Sequence, residues 1–348
     1  MPRPARDAVS LAVVESSQVG EARRLASSLA ERIGFDPTQQ ARVALIVTEL
    51  GNNLVRHASQ GELILQRVRS DGRVGIEALA IDRGPGVINF QRCLADGFST
   101  AGTPGTGLGT VARQADLFDV YSLVPKGTVI SARVWLAARG GPAGTAPRPT
   151  LDLGSVCLPM AGEDRCGDAW AFEATEPGRS ALIVADGLGH GPKAAEASDL
   201  AIATFRQNPT FGPAEQLAAI YPTLRPTRGA AVAVTTIDHD RRELRFAGVG
   251  NIAGTIFEND ARRQGLISHN GTVGAAMPRV QEFAHPWPDE ALLVLHSDGL
   301  ATSWRLDNQP LLRSREPGVI AGALYRDFNR GRDDVTVVVA RNGGIKSP

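Results

Sequence analysis

The sequence predicts an α/β two-layer sandwich, with helices on one face of a sheet, followed by an α+β sandwich in which two packed β-sheets are flanked by helices. Three observations predict it. Helical and strand patterns alternate through residues 1–137. The segment ARGGPAGTAPRPT, residues 138–150, is dense in Gly and Pro and has no apolar periodicity, so it reads as a linker. Beyond it, short apolar strands recur, several ended by turn residues. The expected division is therefore 1–137, 138–150 and 151–348.

In the first part, Ala22, Leu25, Ala26, Leu29 and Ile33 fall at helical spacing. DPTQQ then supplies Asp36 as N-cap, Pro37 at the first helical position and Gln39 at the capping-box position. The helix it starts is expected to reach about Ala58, with Val43, Ile46, Val47, Leu50 and Leu54 as its apolar stripe. His57 falls close to that stripe and is expected in the core. Strands follow over 62–69 and 74–81, then a Gly/Thr-rich loop over 97–109 and a short helix to about Ala115. LFDVYSLV and TVISARVWL close the sheet. In the second part the strands are SALIVADG, GAAVAVTTID, ELRFAGVGN, ALLVLHSDG and VTVVVAR, with helices near 192–206, 213–221 and 317–329.

Bulk composition narrows the function classes. Acidic and basic residues balance at 37 each, so no single-sign field points to nucleic acid or an anionic membrane. No apolar run reaches the roughly 18 residues a bilayer span needs. MPRPARDAVS lacks a signal-peptide apolar region. Cys93, Cys157 and Cys166 are sparse and lack CxxC spacing, which argues against a disulfide framework or zinc site. None is followed six positions later by Arg, so the loop of a cysteine-based phosphatase is absent. The expectation is a reduced, cytoplasmic protein.

Chemistry concentrates at strand ends. Asp186 ends an apolar run in VADGLGHG, Asp298 follows ALLVL in HSDGL, Asp333 and Asp334 precede VTVVVA, and Asp168 heads DAWAF. One Asp-Gly at a strand end is ordinarily a turn. His190 alone reads as a surface or capping histidine, and Asp334 as a solvated neighbour of Asp333. Four such carboxylates brought together repel unless a cation sits among them, and an all-oxygen set suits Mg²⁺ or Mn²⁺. A glycine after the aspartate leaves its carbonyl approachable.

VADGLGHG, GVGN, HSDGL and DDVTVVV, in that order, resemble the metal-dependent serine/threonine phosphatases of type 2C, and TRGAAVAV with DGLGHG resembles their SpoIIE/RsbX-like branch. The resemblance covers about residues 150–342. It implies two Mn²⁺ or Mg²⁺ ions, with Asp186 bridging them, the Gly187 carbonyl assisting, Asp298 and Asp333 on one ion and Asp168 nearby. No Arg matches the phosphate-binding Arg of the larger members.

In the first part, VTELGNNLVRHA places Glu49 and Asn53 four apart on one flank of the apolar stripe. A helix-surface pair bonding each other is the plain reading of two such residues. IDRGPGV ends a strand in Asp82, with Gly84 and Gly86 close behind. TAGTPGTGLGTVARQ leads a glycine-rich loop into a helix N-terminus, where backbone N–H groups suit phosphate. It is neither a P-loop nor a clear Rossmann fingerprint. The ordered pieces resemble the GHKL ATPase fold over about residues 8–137. ELGNNLVRHA is similar to its N-box, DRGPG to its first glycine box, GTPGTGLG to its lid and second glycine box, and the late KGT to its closing strand. The anti-sigma-factor serine kinases of RsbT/RsbW type are the most similar group. The resemblance implies ATP with Mg²⁺ held by Asn53, Glu49 acting on the attacking hydroxyl, and Asp82 accepting from the adenine amino group. Gly84, Gly86, Gly105, Gly107, Gly109 and Thr128 would shape the pocket.

Together these readings imply a two-activity signalling regulator. The first part would phosphorylate Ser or Thr on a partner, of the STAS-domain antagonist kind in a partner-switching pathway, and the second would remove protein phosphate. The alternative is a first part that binds ATP and a regulator without phosphotransfer. The sequence leaves open the partner, the ion and the oligomeric state.

Overall fold

The computed structural model describes residues 8–70, 73–87, 107–136, 151–176, 178–259, 262–276 and 279–343. Its contacts divide the chain into two units, one of residues 7–146 with 305–327, the other of residues 1–6, 147–304 and 328–348.

The first unit begins with β1 (Ala8–Ala12), α1 (Ser16–Ile33) and α2 (Pro37–His57). Asp36 caps α2 as its sequence predicts, accepting a hydrogen bond from the Gln39 amide at 2.8 Å, with Pro37 in the first turn. β2 (Glu62–Ser70), β3 (Arg73–Ile81), α3 (Gly107–Gln114), β4 (Leu117–Leu123) and β5 (Gly127–Trp135) follow. The sheet is antiparallel, in the order β1-β2-β3-β5-β4. Val43, Ile46, Val47, Leu50 and Leu54 are buried as one stripe of α2 and pack with Val19, Ala22, Ala26 and Leu29 of α1 over Leu63, Leu65, Ala78 and Ala132 of the sheet. His57 is exposed, not in the core: it lies in the last turn of α2, beyond the edge of the sheet-facing stripe.

The second unit holds β6 (Leu151–Leu158), β7 (Asp168–Glu176), β8 (Arg179–Gly187), α4 (Pro192–Gln207), α5 (Pro213–Leu224), β9 (Ala230–Asp238), β10 (Glu243–Val249), β11 (Ala253–Phe257), β12 (Arg263–Leu266), β13 (Phe283–Pro286) and β14 (Leu292–His296). After α6 (Pro317–Phe328), β15 (Val335–Asn342) completes it. One sheet runs β13-β10-β9-β8-β7 and the other β12-β11-β14-β15-β6. Leu182, Val184, Ala233 and Phe246 of the first face Leu293, Leu295, Val338 and Ala340 of the second across a shared core. Ile183, Ala185, Val232 and Val234 point the other way, onto Ala201, Ile202, Phe205, Leu217 and Ile220 of α4 and α5. This alternation is the period-two signature of strands buried on both faces.

The segment 305–327 departs from the expected division. The sequence places α6 with the strands around it, but its contacts belong to the first unit. All residues of α6 from Pro317 to Arg326 are buried, so no solvent-facing stripe exists. Its N-terminus is capped from another element: Asp119 of β4 accepts from the Glu316 amide at 2.7 Å and faces the Arg315 guanidinium at 3.4 Å. Gly318 lies against the buried Glu77–Arg133 ion pair, where a Cβ would strike the Glu77 carboxylate. A Cβ on Gly322 would stand 2.9 Å from Val129 Cγ1. Tyr325 donates to Glu62 at 2.9 Å. Small residues one turn apart thus let the helix approach the sheet closely. The 138–150 linker lies outside the described residues.

Candidate functional site

Two candidate sites are built on strand ends, one in each unit. In the first, α2 presents Glu49 and Asn53 half-buried beside its buried stripe. The start of α3 abuts them: a Cβ on Gly107 would lie 3.0 Å from Glu49 Oε2 and 3.8 Å from Asn53 Oδ1. Asn53 Nδ2 is buried without a partner. A helix N-terminus, a carboxylate and an unsatisfied amide therefore meet at one place, the chemistry that an ion-bearing phosphate group would complete.

Asp82 stands at the end of β3. Its amide donates to the Thr128 carbonyl at 2.9 Å and its carboxylate accepts from the Gly84 amide at 2.6 Å. Burial raises its pKa above the ordinary carboxylate value, opposed by the Gly84 and Thr128 hydrogen bonds. Thr128 and Ser122 hydroxyls are 3.0 Å apart, and Ser122 also accepts from the Val87 amide. Gly127 has φ +100°, and a Cβ there would collide with the Asp82 carbonyl. That close approach locks the KGT turn onto the strand end. Gly86, also left-handed, sits against the Leu123 carbonyl. Gly109 is buried in α3. Gly105 and the rest of 88–106 lie outside the described residues.

In the second unit, β7 and β8 set Asp168 and Asp186 directly opposite each other. Burial, then the charges of Asp168, Asp298 and Asp333, push the Asp186 carboxyl up to about 9. Burial likewise pushes Asp168 up to about 7, opposed mainly by the Ser297 hydroxyl, which donates to it at 2.6 Å. The Asn251 side chain donates to Asp298 at 2.7 Å. Asp168, Asp186, Asp298 and Asp333 thus share one electrostatic environment. Among the described residues no three His, Cys, Asp or Glu side chains come together as a group that could by itself hold a metal ion. An open oxygen set suits a cation such as Mg²⁺, which keeps several of its own waters.

The structure corrects Asp334, which is not solvated. It is 2% exposed and accepts from the Met160 amide at 2.8 Å and the Gly167 amide at 2.9 Å, tying down the loop that leads into Asp168. Its carboxyl is raised, chiefly by burial. His190 is exposed and pairs with Glu163 at 2.6 Å. The glycines after Asp186 and Asp298 also have packing roles. A Cβ on Gly187 would collide with the Ala194 carbonyl of α4, and one on Gly299 with the Asp334 carbonyl. The sequence reading missed Ser297 and Asn251 as supports. Ser297 stands next to the predicted ligand Asp298 in HSDGL, and Asn251 lies in the GVGN stretch that carries the resemblance; these were the available signals.

Comparison with known proteins gives each unit a relative. Residues 12–134 match the model described as a histidine kinase-like ATPase domain, and residues 176–342 that of stage II sporulation protein E. Over 115 residues the chain is 36% identical to the serine/threonine-protein kinase RsbT of Bacillus subtilis, spanning 33% of this chain and 86% of that one. A chain solved in work on the bacterial stressosome, described as a modular system adapted to control secondary messenger signaling, is 30% identical. It covers 55% of this chain and 99% of its own, with a TM-score of 0.51.

Proposed function

We propose a two-activity signalling regulator, from the premise that the chain belongs to the RsbT-like serine/threonine kinases through its first part, while residues 176–342 match the model of stage II sporulation protein E. The first unit phosphorylates a Ser or Thr on a partner protein with ATP. The second hydrolyses phosphoserine or phosphothreonine in proteins. The observation that carries the reading is the pair Asp168 and Asp186, set directly opposite each other on β7 and β8 with the charges of Asp298 and Asp333 acting on Asp186, a concentration of carboxylates that a cation relieves.

Asp186, the Gly187 carbonyl, Asp298 and Asp333, with Asp168 nearby, would hold Mn²⁺ or Mg²⁺. Such ions lower the pKa of bound water and offset phosphate charge. The protein's own part is positioning. Ser297 fixes the Asp168 carboxylate, Asn251 orients Asp298, and Asp334 fixes the approach of β7. In the first unit, Asn53 would hold Mg²⁺ on ATP, Asp82 and Thr128 would face the adenine, and Glu49 would take the proton of the attacking hydroxyl. The similarity to a serine/threonine-protein kinase supports a phosphorylatable protein partner, and the STAS-domain antagonist kind is the one that the sequence resemblance implies.

The test uses the full chain, labelled ATP, a candidate STAS-domain partner and its phosphorylated form. Phosphotransfer needing Glu49, and phosphate release needing Mn²⁺ or Mg²⁺, are expected. ATP binding without transfer to any partner would instead make the first unit a regulator-binding module.

A further inference from the structure

Residues 305–327 leave the second unit between two of its proposed ion-binding aspartates. Asp298 lies seven residues before Arg305, and Asp333 six residues after Asp327. The intervening chain is anchored in the first unit at both ends of α6. At the N-terminal end are the Asp119 cap and the close seat of Gly318 on Glu77 and Arg133. At the C-terminal end, Arg326 lays its guanidinium on Asp327 at 2.8 and 3.2 Å, and Asp327 faces Lys126 at 3.6 Å. Lys126 belongs to the turn that continues into Gly127 and Thr128, whose carbonyl holds the Asp82 amide. Arg326 is 1% exposed, its Nη1 is buried without a partner, and its charge is felt at Asp82. The C-terminal end of α6 is thus wired to the strand end read as the adenine site. Its two covalent continuations carry Asp298 and Asp333.

We propose that residues 305–327 are a coupling segment: their seating on the first unit's sheet sets the loops that carry Asp298 and Asp333, and nucleotide at Asp82 changes that seating. The proposal goes beyond two activities sharing a chain and builds on the reading of both sites. On this proposal the helix has a docked and a released arrangement. A ligand that binds one better shifts the balance. Linkage then makes the effect reciprocal, so nucleotide and Mn²⁺ alter each other's affinity by the same factor.

The test is hydrogen exchange on the full chain, wild type against Gly322→Leu, which drives a side chain into Val129. Asp119→Asn serves as a milder release that keeps the side-chain shape. Gly322→Leu is expected to speed exchange over 305–327 by about tenfold or more, and with it exchange at 297–300 and 329–335, while α1 and α2 stay protected. Asp119→Asn should do the same in smaller measure. If Gly322→Leu also exposes α1 and α2, Asp119→Asn alone decides. Release of 305–327 with unchanged exchange at 297–300 and 329–335 overturns the proposal. Saturating Mg-ATP should alter protection of 305–327 in the wild type. ATP bound by calorimetry with no change there also overturns it. A chain that binds no ATP refutes the ATPase reading and, with it, the nucleotide half of this proposal. The comparison of variants still decides the half concerning the Asp298 and Asp333 loops. Titration of Mn²⁺ by calorimetry, with and without nucleotide, gives the coupling factor directly.

Discussion

β3 runs into Asp82-Arg83-Gly84 and β8 ends in Asp186-Gly187, two strand ends that each carry an aspartate with a glycine close behind. Their surroundings differ. Asp82 is held by its own turn, with the Gly84 amide on its carboxylate and no second acid among the main influences on it. Asp186 faces Asp168 across a strand pair and feels Asp298 and Asp333 as well. The first carboxylate stands alone as an acceptor for a neutral donor such as an amino group. The second is raised so far that it stays protonated near neutral pH unless a cation arrives. A motif of Asp followed by Gly states where a carboxylate stands. Its chemistry is decided by whether other strands bring further charges to the same place.

The sharpest way to break this contrast is to remove one acid from each site. Glu49→Ala should lower phosphorylation of the partner by about 10²–10⁴-fold, while leaving ATP binding and phosphate hydrolysis intact. Asp298→Ala should do the reverse, so that phosphorylated partner accumulates if both units share a substrate. Partner phosphorylation measured over time for each variant checks both. Loss of both activities in either variant would contradict two separable sites.

Asp82→Asn removes a charged acceptor but not the turn, and should weaken ATP binding by roughly 1.5–3 kcal/mol in calorimetry. Ser297→Ala acts one step away from the ions. The Ser297 hydrogen bond lowers the Asp168 pKa, so its loss raises that pKa and moves metal binding to higher pH. Mn²⁺ affinity at pH 7 should fall by roughly 10–100-fold. An unchanged pH profile of Mn²⁺ binding would separate Asp168 from the ion site.

The smallest effect concerns stability. Asp168 and Asp186 are raised from 3.8 to about 7 and about 9. A raised carboxylate favours the folded state at low pH, and that contribution is lost as pH rises from about 4 through the folded values. In chelator, the wild-type Tm should therefore fall between pH 5 and 9. Asp186→Asn should flatten the fall and raise Tm at pH 8 by roughly 2–4 °C. Excess Mn²⁺ should reverse the order, because only the wild type gains the ion. A less stable Asp186→Asn protein in chelator would argue against repulsion at this site.

Much of this was legible in the sequence. The capped start of α2, its buried stripe, the paired strands and the aspartates at strand ends all follow from local pattern. The short strands β12 (RQGL) and β13 (FAHP) carry no apolar run, and their pairing comes from neighbours remote in sequence. β1 (AVSLA) and β6 (LDLGSVCL) were missed for a similar reason, since their partners β2 and β15 are remote in sequence. His57 is exposed because it lies in the last turn of α2, where proximity to the stripe is not burial. Asp334 looked solvated because nothing local announces that Met160 and Gly167 will turn their amides toward it. Helix α6 was read by its position in the chain. Its sequence, PGVIAGALYRDF, offers only the glycines at 318 and 322 and few polar residues as a sign of its burial.

That excursion of the chain also orders events during synthesis. The unit encoded first lacks part of its packing until residue 327 has been made, some 181 residues after residue 146. At ribosomal speeds of about 5–20 residues per second, that is a delay of roughly 10–40 s. Through that interval Ile81 and Val129 await the helix that will cover them. The nascent amino-terminal half therefore leaves that face of its sheet uncovered, and a stop codon anywhere before α6 leaves it so.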